Sequence, residues 1–187
     1  MWALQTDHVP AYVGFADVFT AEECRAVMAL GTERQTHPAV VEQGGLDETV
    51  RKSHVSWLTP SPETEWLFRR ISDAVNQANE EVFKFDLFGM VDGIQYGEYR
   101  NDGGHYQWHL DSWHGIYPRK LSVSVQLSPD DAYSGGDLEL NVGNIEQASR
   151  SQGSMTLFPS YRLHRVAPVT HGLRCSLVTW IAGPAFK

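Results

Sequence analysis

The chain has 187 residues, 42% hydrophobic and 20% charged, with a formal net charge of −8. That length suits one domain with one sizeable core, and the balance of residues excludes disorder. The acidic charge without any Lys/Arg-rich run argues against a nucleic-acid partner, and no stretch approaches the ~18 consecutive apolar residues of a membrane span. The opening residues lack the basic-then-apolar pattern of a secretory leader, so the expected compartment is the cytoplasm.

The first third carries the helical signals. In "TAEECRAVMALG", Thr20 is the expected N-cap, Glu23 its capping-box partner and Gly31 the expected stop, with Cys24, Val27 and Met28 at helical spacing. A second helix is expected to start at Ser61 as cap, with Pro62 in its first turn. Leu67, Ile71, Val75, Ala78 and Val82 then form one apolar stripe. Cys24 and Cys175 are too few for a disulfide framework, and their apolar neighbours mark them as small core residues.

Beyond about residue 86 the pattern becomes short apolar runs punctuated by Gly, Asn, Asp and Pro. Strands are expected at Gly89–Tyr99, Lys120–Leu127, Asp137–Leu140, Ser154–Phe158 and Arg174–Ala182, with turns at "SGGD" and "NVGN". Helices followed by strands predict an α+β chain: helical support over about 1–85, then a β-sandwich or jelly roll over about 86–187, together forming one domain. In "KLSVSVQLS", Ser122, Ser124 and Gln126 share one face, while Leu121, Val123, Val125 and Leu127 share the other. Alternation alone favours a solvent-facing polar side; a polar side lining a pocket is the alternative.

The residues that carry chemistry lie in "YQWHLDSWHG" and "FPSYRLHRVAP". In a strand, positions i and i+2 project to one side, so His109 and Asp111 can reach one ion, and His164 from a distant strand would complete a two-histidine, one-carboxylate triad. The His-x-acid pair is weak evidence alone. Eight histidines and 23 acids in 187 residues give about one such pair by chance. The downstream order strengthens it: Arg174 follows His164 by ten residues, and two adjacent antiparallel strands joined by a short turn would bring both into one pocket. A guanidinium fork matches a carboxylate, and Ser176 faces the same way as Arg174.

From about Ile94 onward the chain resembles the prolyl 4-hydroxylase branch of the iron(II)/2-oxoglutarate dioxygenases, including PKHD-type hydroxylases. The resemblance rests on "YRNDGGHYQWHLDS", "RKLSVSVQLS", "SGGDLEL", "GSMTLFPSYRLHRVAPVTHGLR" and "SLVTWIAGP", in the family order. It implies a double-stranded β-helix, with His109, Asp111 and His164 as both metal ligands and catalytic centre. It further implies Arg174 as the partner of the distal 2-oxoglutarate carboxylate, Tyr99 as a cosubstrate contact, and Ser124 and Gln126 turned toward the active site. Related halogenases replace the ligand carboxylate with a small residue; Asp111 therefore points to hydroxylation.

The implied cofactors are Fe(II), 2-oxoglutarate as cosubstrate and ascorbate as an optional reductant; the partners are dioxygen and a peptide, protein or small-molecule substrate. The expected reaction hydroxylates an unactivated C–H bond, first choice a prolyl residue, releasing succinate and carbon dioxide. A free amino acid or other small metabolite is the alternative substrate. A non-catalytic metal- or sugar-binding jelly roll is the rival of a different class. Trp108, Trp113, His114 and Tyr117 are candidates for an aromatic wall around a pyrrolidine ring. The segment "VVEQGGLDETVRKSH" reads either as a loop closing over substrate or as an inert connection.

Overall fold

The computed structural model describes residues 9–41, 45–112 and 118–185. After β1 (Val13–Phe15), helix α1 (Ala21–Glu33) opens as its sequence dictates. The Glu23 N–H donates to Thr20 Oγ1 at 3.2 Å, and the Thr20 N–H donates to the Glu23 carboxylate at 2.9 Å. Gly31 does not end the helix. It lies where the buried ring of Tyr96 presses on α1, and a Cβ there would sit 2.3 Å from a ring carbon. Its missing side chain serves packing, and α1 runs two residues further.

Two short strands, β2 (His37–Pro38) and β3 (Arg51–Lys52), and the longer β4 (His54–Leu58) follow in a region that sequence periodicity left unassigned. Helix α2 (Glu65–Ala78) begins four residues after Ser61, because Ser61 and Thr64 close a separate turn. There the Thr64 N–H donates to Ser61 Oγ at 3.3 Å, the Ser61 N–H donates to Thr64 Oγ1 at 3.0 Å, and that hydroxyl donates to Thr59 O at 2.7 Å. Leu67, Ile71, Val75 and Ala78 are buried as their spacing predicts. The stripe then breaks: Asn79–Phe83 winds as a π-helical turn, and this wider pitch buries Phe83 and leaves Val82 half-buried.

The remaining strands are β5 (Gly89–Met90), β6 (Ile94–Arg100), β7 (His105–His109), β8 (Arg119–Gln126), β9 (Tyr133–Gly135), β10 (Leu138–Asn141), β11 (Ile145–Gln147), β12 (Met155–Pro159), β13 (His164–Val166) and β14 (Val169–Ala182). All pairings are antiparallel. The major sheet runs β1-β12-β8-β14-β6-β4-β2, with β5 and β9 also paired to β14; the minor sheet runs β11-β10-β13-β7-β3. Two facing antiparallel sheets with supporting helices make this an α+β jelly roll of the double-stranded β-helix type. Among the described residues no helix is long and apolar enough to cross a membrane.

The two sides of the major sheet divide the labour. Leu121, Val123 and Val125 of β8, with Leu127 just beyond it, join Cys24, Val27, Leu67, Ile71 and Val75 of the helices in one core. Each such buried aliphatic stabilises the fold by roughly 1.5–3 kcal/mol. The opposite face is polar and is buried as well: Ser122, Ser124 and Gln126 are at most 9% exposed. Ser124 pairs with Thr156 and Val178, and Gln126 pairs with Ser176. The solvent-facing reading of that polar side is therefore wrong, because the minor sheet covers it.

Candidate functional site

Three chelating side chains meet between the sheets. His109 is the last residue of β7 and lies directly opposite His164 of β13. Asp111 falls two residues past the strand end, in a bend pinned by its own N–H and that of Ser112, both donating to Ser160 O at 2.9 and 3.0 Å. The expectation that His109 and Asp111 share a regular strand is thus corrected: the bend swings the carboxylate onto the histidines. The three donor atoms lie within 4.8 Å of one another. His109 Nε2 is 3.6 Å from Asp111 Oδ1, and His164 Nε2 is 3.4 Å from Asp111 Oδ2.

The protonation of the imidazoles follows from their partners. His109 Nδ1 lies 2.7 Å from Gln107 O, and His164 Nδ1 lies 2.9 Å from Arg162 O. A carbonyl can only accept, so each Nδ1 carries a hydrogen, and each Nε2 is turned toward Asp111 and the space beside it. Burial, reinforced by the neighbouring His164, pushes His109 down to about 4, so its imidazole is neutral. Burial pushes the Asp111 carboxyl up. His164, His109 and the hydrogen bond from Ser122 outweigh that, and the group stays below the usual carboxylate range. Ser122 Oγ donates to Asp111 Oδ2 at 2.7 Å and lies 3.0 Å from Ser160 Oγ. The Trp180 indole N–H faces Asp111 without closing a hydrogen bond of good geometry.

A bulge sets the aim of His109. Between β7 and β13 the register passes from His109↔His164 to Tyr106↔Val166, three residues on one strand against two on the other. Tyr106 and His109 therefore face the same cavity and stack, ring centroids 3.5 Å apart at 17°. Phe158 meets His164 edge-on at 4.6 Å. Two imidazoles and a carboxylate so arranged suit a divalent first-row metal that must keep positions open for other ligands.

Arg174 lines the same cavity from the opposite sheet, together with Tyr99, Ser124 and Ser176. It is 3% exposed, donates to Ser176 Oγ at 3.3 Å, and holds its guanidinium carbon 5.3 Å from the Tyr99 ring centroid. The Tyr133 side chain lies close enough for the two groups to interact electrostatically. His164 and Arg174 do not lie on adjacent paired strands. β13 belongs to the minor sheet and β14 to the major one, and the chain crosses between the sheets at Ala167–Pro168. Gln126 lines a smaller neighbouring chamber that Arg174 and Tyr133 also line.

Trp108 is not part of the cavity; the guanidinium of Arg165 covers it at 4.9 Å. Trp113, His114 and Tyr117 lie outside the described residues, as do residues 42–44 of the glycine-rich segment. The remainder of that segment is not a free loop. Arg51 and Lys52 form the edge strand of the minor sheet, and Arg51 lines the cavity. Sequence reasoning missed Arg51, Gln95, Tyr106, Phe158 and Trp180 as cavity residues, and Ser122 as the hydrogen-bond partner of Asp111. Ser122 could have been found, since it shares its strand face with Ser124.

Comparison with known proteins gives a consistent result. A family model described as the 2OG-Fe(II) oxygenase superfamily matches residues 94–182. A PKHD-type hydroxylase of Teredinibacter turnerae is 41% identical over 90 residues, covering 44% of this chain and 39% of that protein. Another, of Nitrosomonas eutropha, is 28% identical over 173 residues, covering 88% and 75%. The first of these matches thus spans well under half of its relative. Among solved structures, a Pseudomonas putida prolyl-4-hydroxylase superposes with a TM-score of 0.73 at 22% identity, covering 94% of each chain. A Trichoplax adhaerens prolyl hydroxylase, in complex with a hypoxia inducible factor peptide fragment, does so at 0.78 and 16% identity, covering 92% and 84%. At such identities these are likenesses of fold.

Proposed function

We infer that this chain, whose residues 94–182 match the model of the 2OG-Fe(II) oxygenase superfamily, is a 2-oxoglutarate-dependent iron(II) dioxygenase hydroxylating an unactivated C–H bond. The observation that carries the reading is the convergence of His109, Asp111 and His164 within 4.8 Å, in one cavity with a buried arginine. The donor set fits the metal: two imidazoles whose Nε2 atoms face Asp111, that of His109 kept neutral by burial, and one carboxylate held ionised. Bound iron and 2-oxoglutarate supply the oxidising power, the cosubstrate being decarboxylated to succinate and carbon dioxide as one oxygen atom enters the substrate C–H bond.

The chain's own residues do the holding and aiming. His109, Asp111 and His164 are the metal ligands, and Ser122 keeps the Asp111 carboxylate turned inward. Arg174 takes the distal carboxylate of 2-oxoglutarate, with Tyr99 packed beside it. Phe158 and Val166 line the cavity and limit water around the reacting centre. A prolyl residue in a peptide or protein is the first substrate in our reading, supported by the names of the relatives. A free amino acid or small metabolite is the second, supported by Arg51, a second arginine lining the cavity.

The test is an anaerobic titration with iron(II) and 2-oxoglutarate, whose chelate gives a weak visible charge-transfer band. The wild-type protein is expected to show it. Arg174→Ala is expected to weaken 2-oxoglutarate about 100-fold, as loss of one partner of a buried charge pair costs roughly 2–5 kcal/mol, while metal affinity holds. Unaltered cosubstrate affinity in that variant would refute the assignment of Arg174. A folded, metal-loaded protein without the band would favour a binding module.

A further inference from the structure

Most of the well-ordered basic side chains around the two sheets have a carboxylate partner. Arg119 pairs with Asp92 at 2.9 Å, Arg165 with Glu139 at 2.6 Å, Arg150 with Asp137 at 2.6 Å, and Lys52 with Asp102 at 3.1 Å. The two arginines lining the central cavity differ. Arg174 at the deep end is held by Ser176, and Arg51 at the mouth is held by Ser53 and Gln95. Neither has a carboxylate within ion-pair distance among the described residues.

Arg51 is built in place rather than left loose. Its Nε–H donates to Ser53 Oγ at 2.9 Å, and its Nη2–H donates to Gln95 Oε1 at 2.7 Å. Both acceptors are only 6% exposed. The guanidinium carbon stands 4.7 Å from the centroid of Tyr106, its cross-strand partner, and that ring stacks on His109. Neutral acceptors fix the plane without cancelling its charge, and Nη1 makes no hydrogen bond among the described residues. The same side chain also lines the outer groove, beside the exposed Trp57 and Leu110. In a protein of net charge −8, a half-buried, immobilised and uncompensated guanidinium is a preformed anion receptor.

We propose that Arg51 binds a carboxylate of the substrate, so that the C–H bond presented to the metal belongs to an anionic molecule or an anionic residue. The proposal rests on the oxygenase reading and narrows it. The carboxylate has two possible sources, the α-carboxylate of a free amino acid and an acidic side chain next to the target residue in a peptide. Arg174 would take the cosubstrate anion from the inner end and Arg51 the substrate anion from the outer end, with the His/Asp cluster in the cavity they share.

The test compares ligands that differ by one charge, using protein loaded with manganese(II) and 2-oxoglutarate. Broadening of ligand proton resonances by the metal, against a zinc-loaded control, reports binding beside the centre. The probes are free L-proline against L-prolinamide, and acetyl-Asp-Pro-Gly-amide against acetyl-Asn-Pro-Gly-amide. At least one carboxylate-bearing member is expected to bind ten-fold or more tightly than its amide twin, and which pair does so identifies the source. Arg51→Gln is expected to abolish that preference and Arg51→Lys to restore part of it, while 2-oxoglutarate affinity stays within two-fold in both. Equal binding of the carboxylate and amide members of both pairs, or a preference that survives in Arg51→Gln, overturns the proposal. Absence of 2-oxoglutarate binding to the wild type would instead sink the oxygenase reading itself.

Discussion

At the scale of single residues, Ser122 shows how the site is held. It touches no expected ligand of the metal except Asp111, to which it donates at 2.7 Å, and it is itself braced by Ser160. Partners that orient a metal ligand typically contribute 10–100-fold to affinity. Ser122→Ala is therefore expected to raise the zinc or manganese dissociation constant by about that factor, measured calorimetrically, with little change in thermal stability. An unchanged constant would mean that the two backbone hydrogen bonds to Ser160 O suffice to aim Asp111. The sequence made the pair His109 and Asp111 visible by spacing alone, although for the wrong geometric reason. It gave no sign of Tyr106 or Phe158, since ring stacking on a histidine depends on strand register, which neighbours in sequence do not encode.

At the scale of elements, the contrast between Thr20 and Gly31 is instructive. A capping box is a local device, completed by residues three apart, and α1 starts where it should. A glycine has two uses, as a stop and as a gap for a neighbour, and only the tertiary partner Tyr96 tells them apart. Gly31→Ala should expose the difference. The buried ring cannot yield like a flexible side chain, so overpacking costs roughly 1–3 kcal/mol, of which better helix propensity returns up to about 1 kcal/mol. A fall in Tm of about 3–8 °C is expected; a stabilised variant would show that α1 shifts freely on the sheet. The strands that periodicity missed have the same kind of explanation. β2, β3, β9, β11 and β13 have two or three residues, too few for alternation to register. β7 carries a bulge that breaks alternation where the histidine must be aimed.

For the whole molecule, burial of weak acids in the core makes the fold sensitive to alkali. Burial pushes the Cys24 thiol from 9.0 up to about 11, and it raises Cys175, Tyr96 and Tyr133 as well. The folded state thus keeps protons that the unfolded chain releases. The associated stability is complete below pH 9 and is lost as pH rises through about 11, with Cys24 alone contributing on the order of 2 kcal/mol. Denaturant midpoints are expected to hold level from pH 7 to 8.5 and to fall between pH 9 and 11. A midpoint that holds through pH 11 would contradict the burial of these groups. For the same reason neither thiol is expected to react with an aromatic disulfide reagent at pH 8 unless the protein is unfolded.

The long strand β14 has a consequence for synthesis. Its fourteen residues pair with β5, β6, β8 and β9, and so supply hydrogen-bonding edges to strands that begin up to eighty residues earlier. A nascent chain emerging from the ribosome can form α1 and α2 promptly, but β6 and β8, which can pair early with β4 and β12, must each wait with one edge unpaired until residue 182 is free. Their partner is the last strand to appear. Such a protein depends on whatever shields those edges in the interval, and premature termination anywhere within 169–182 leaves β1-β12-β8 and β6-β4-β2 as two separate halves of the major sheet without the strand that unites them.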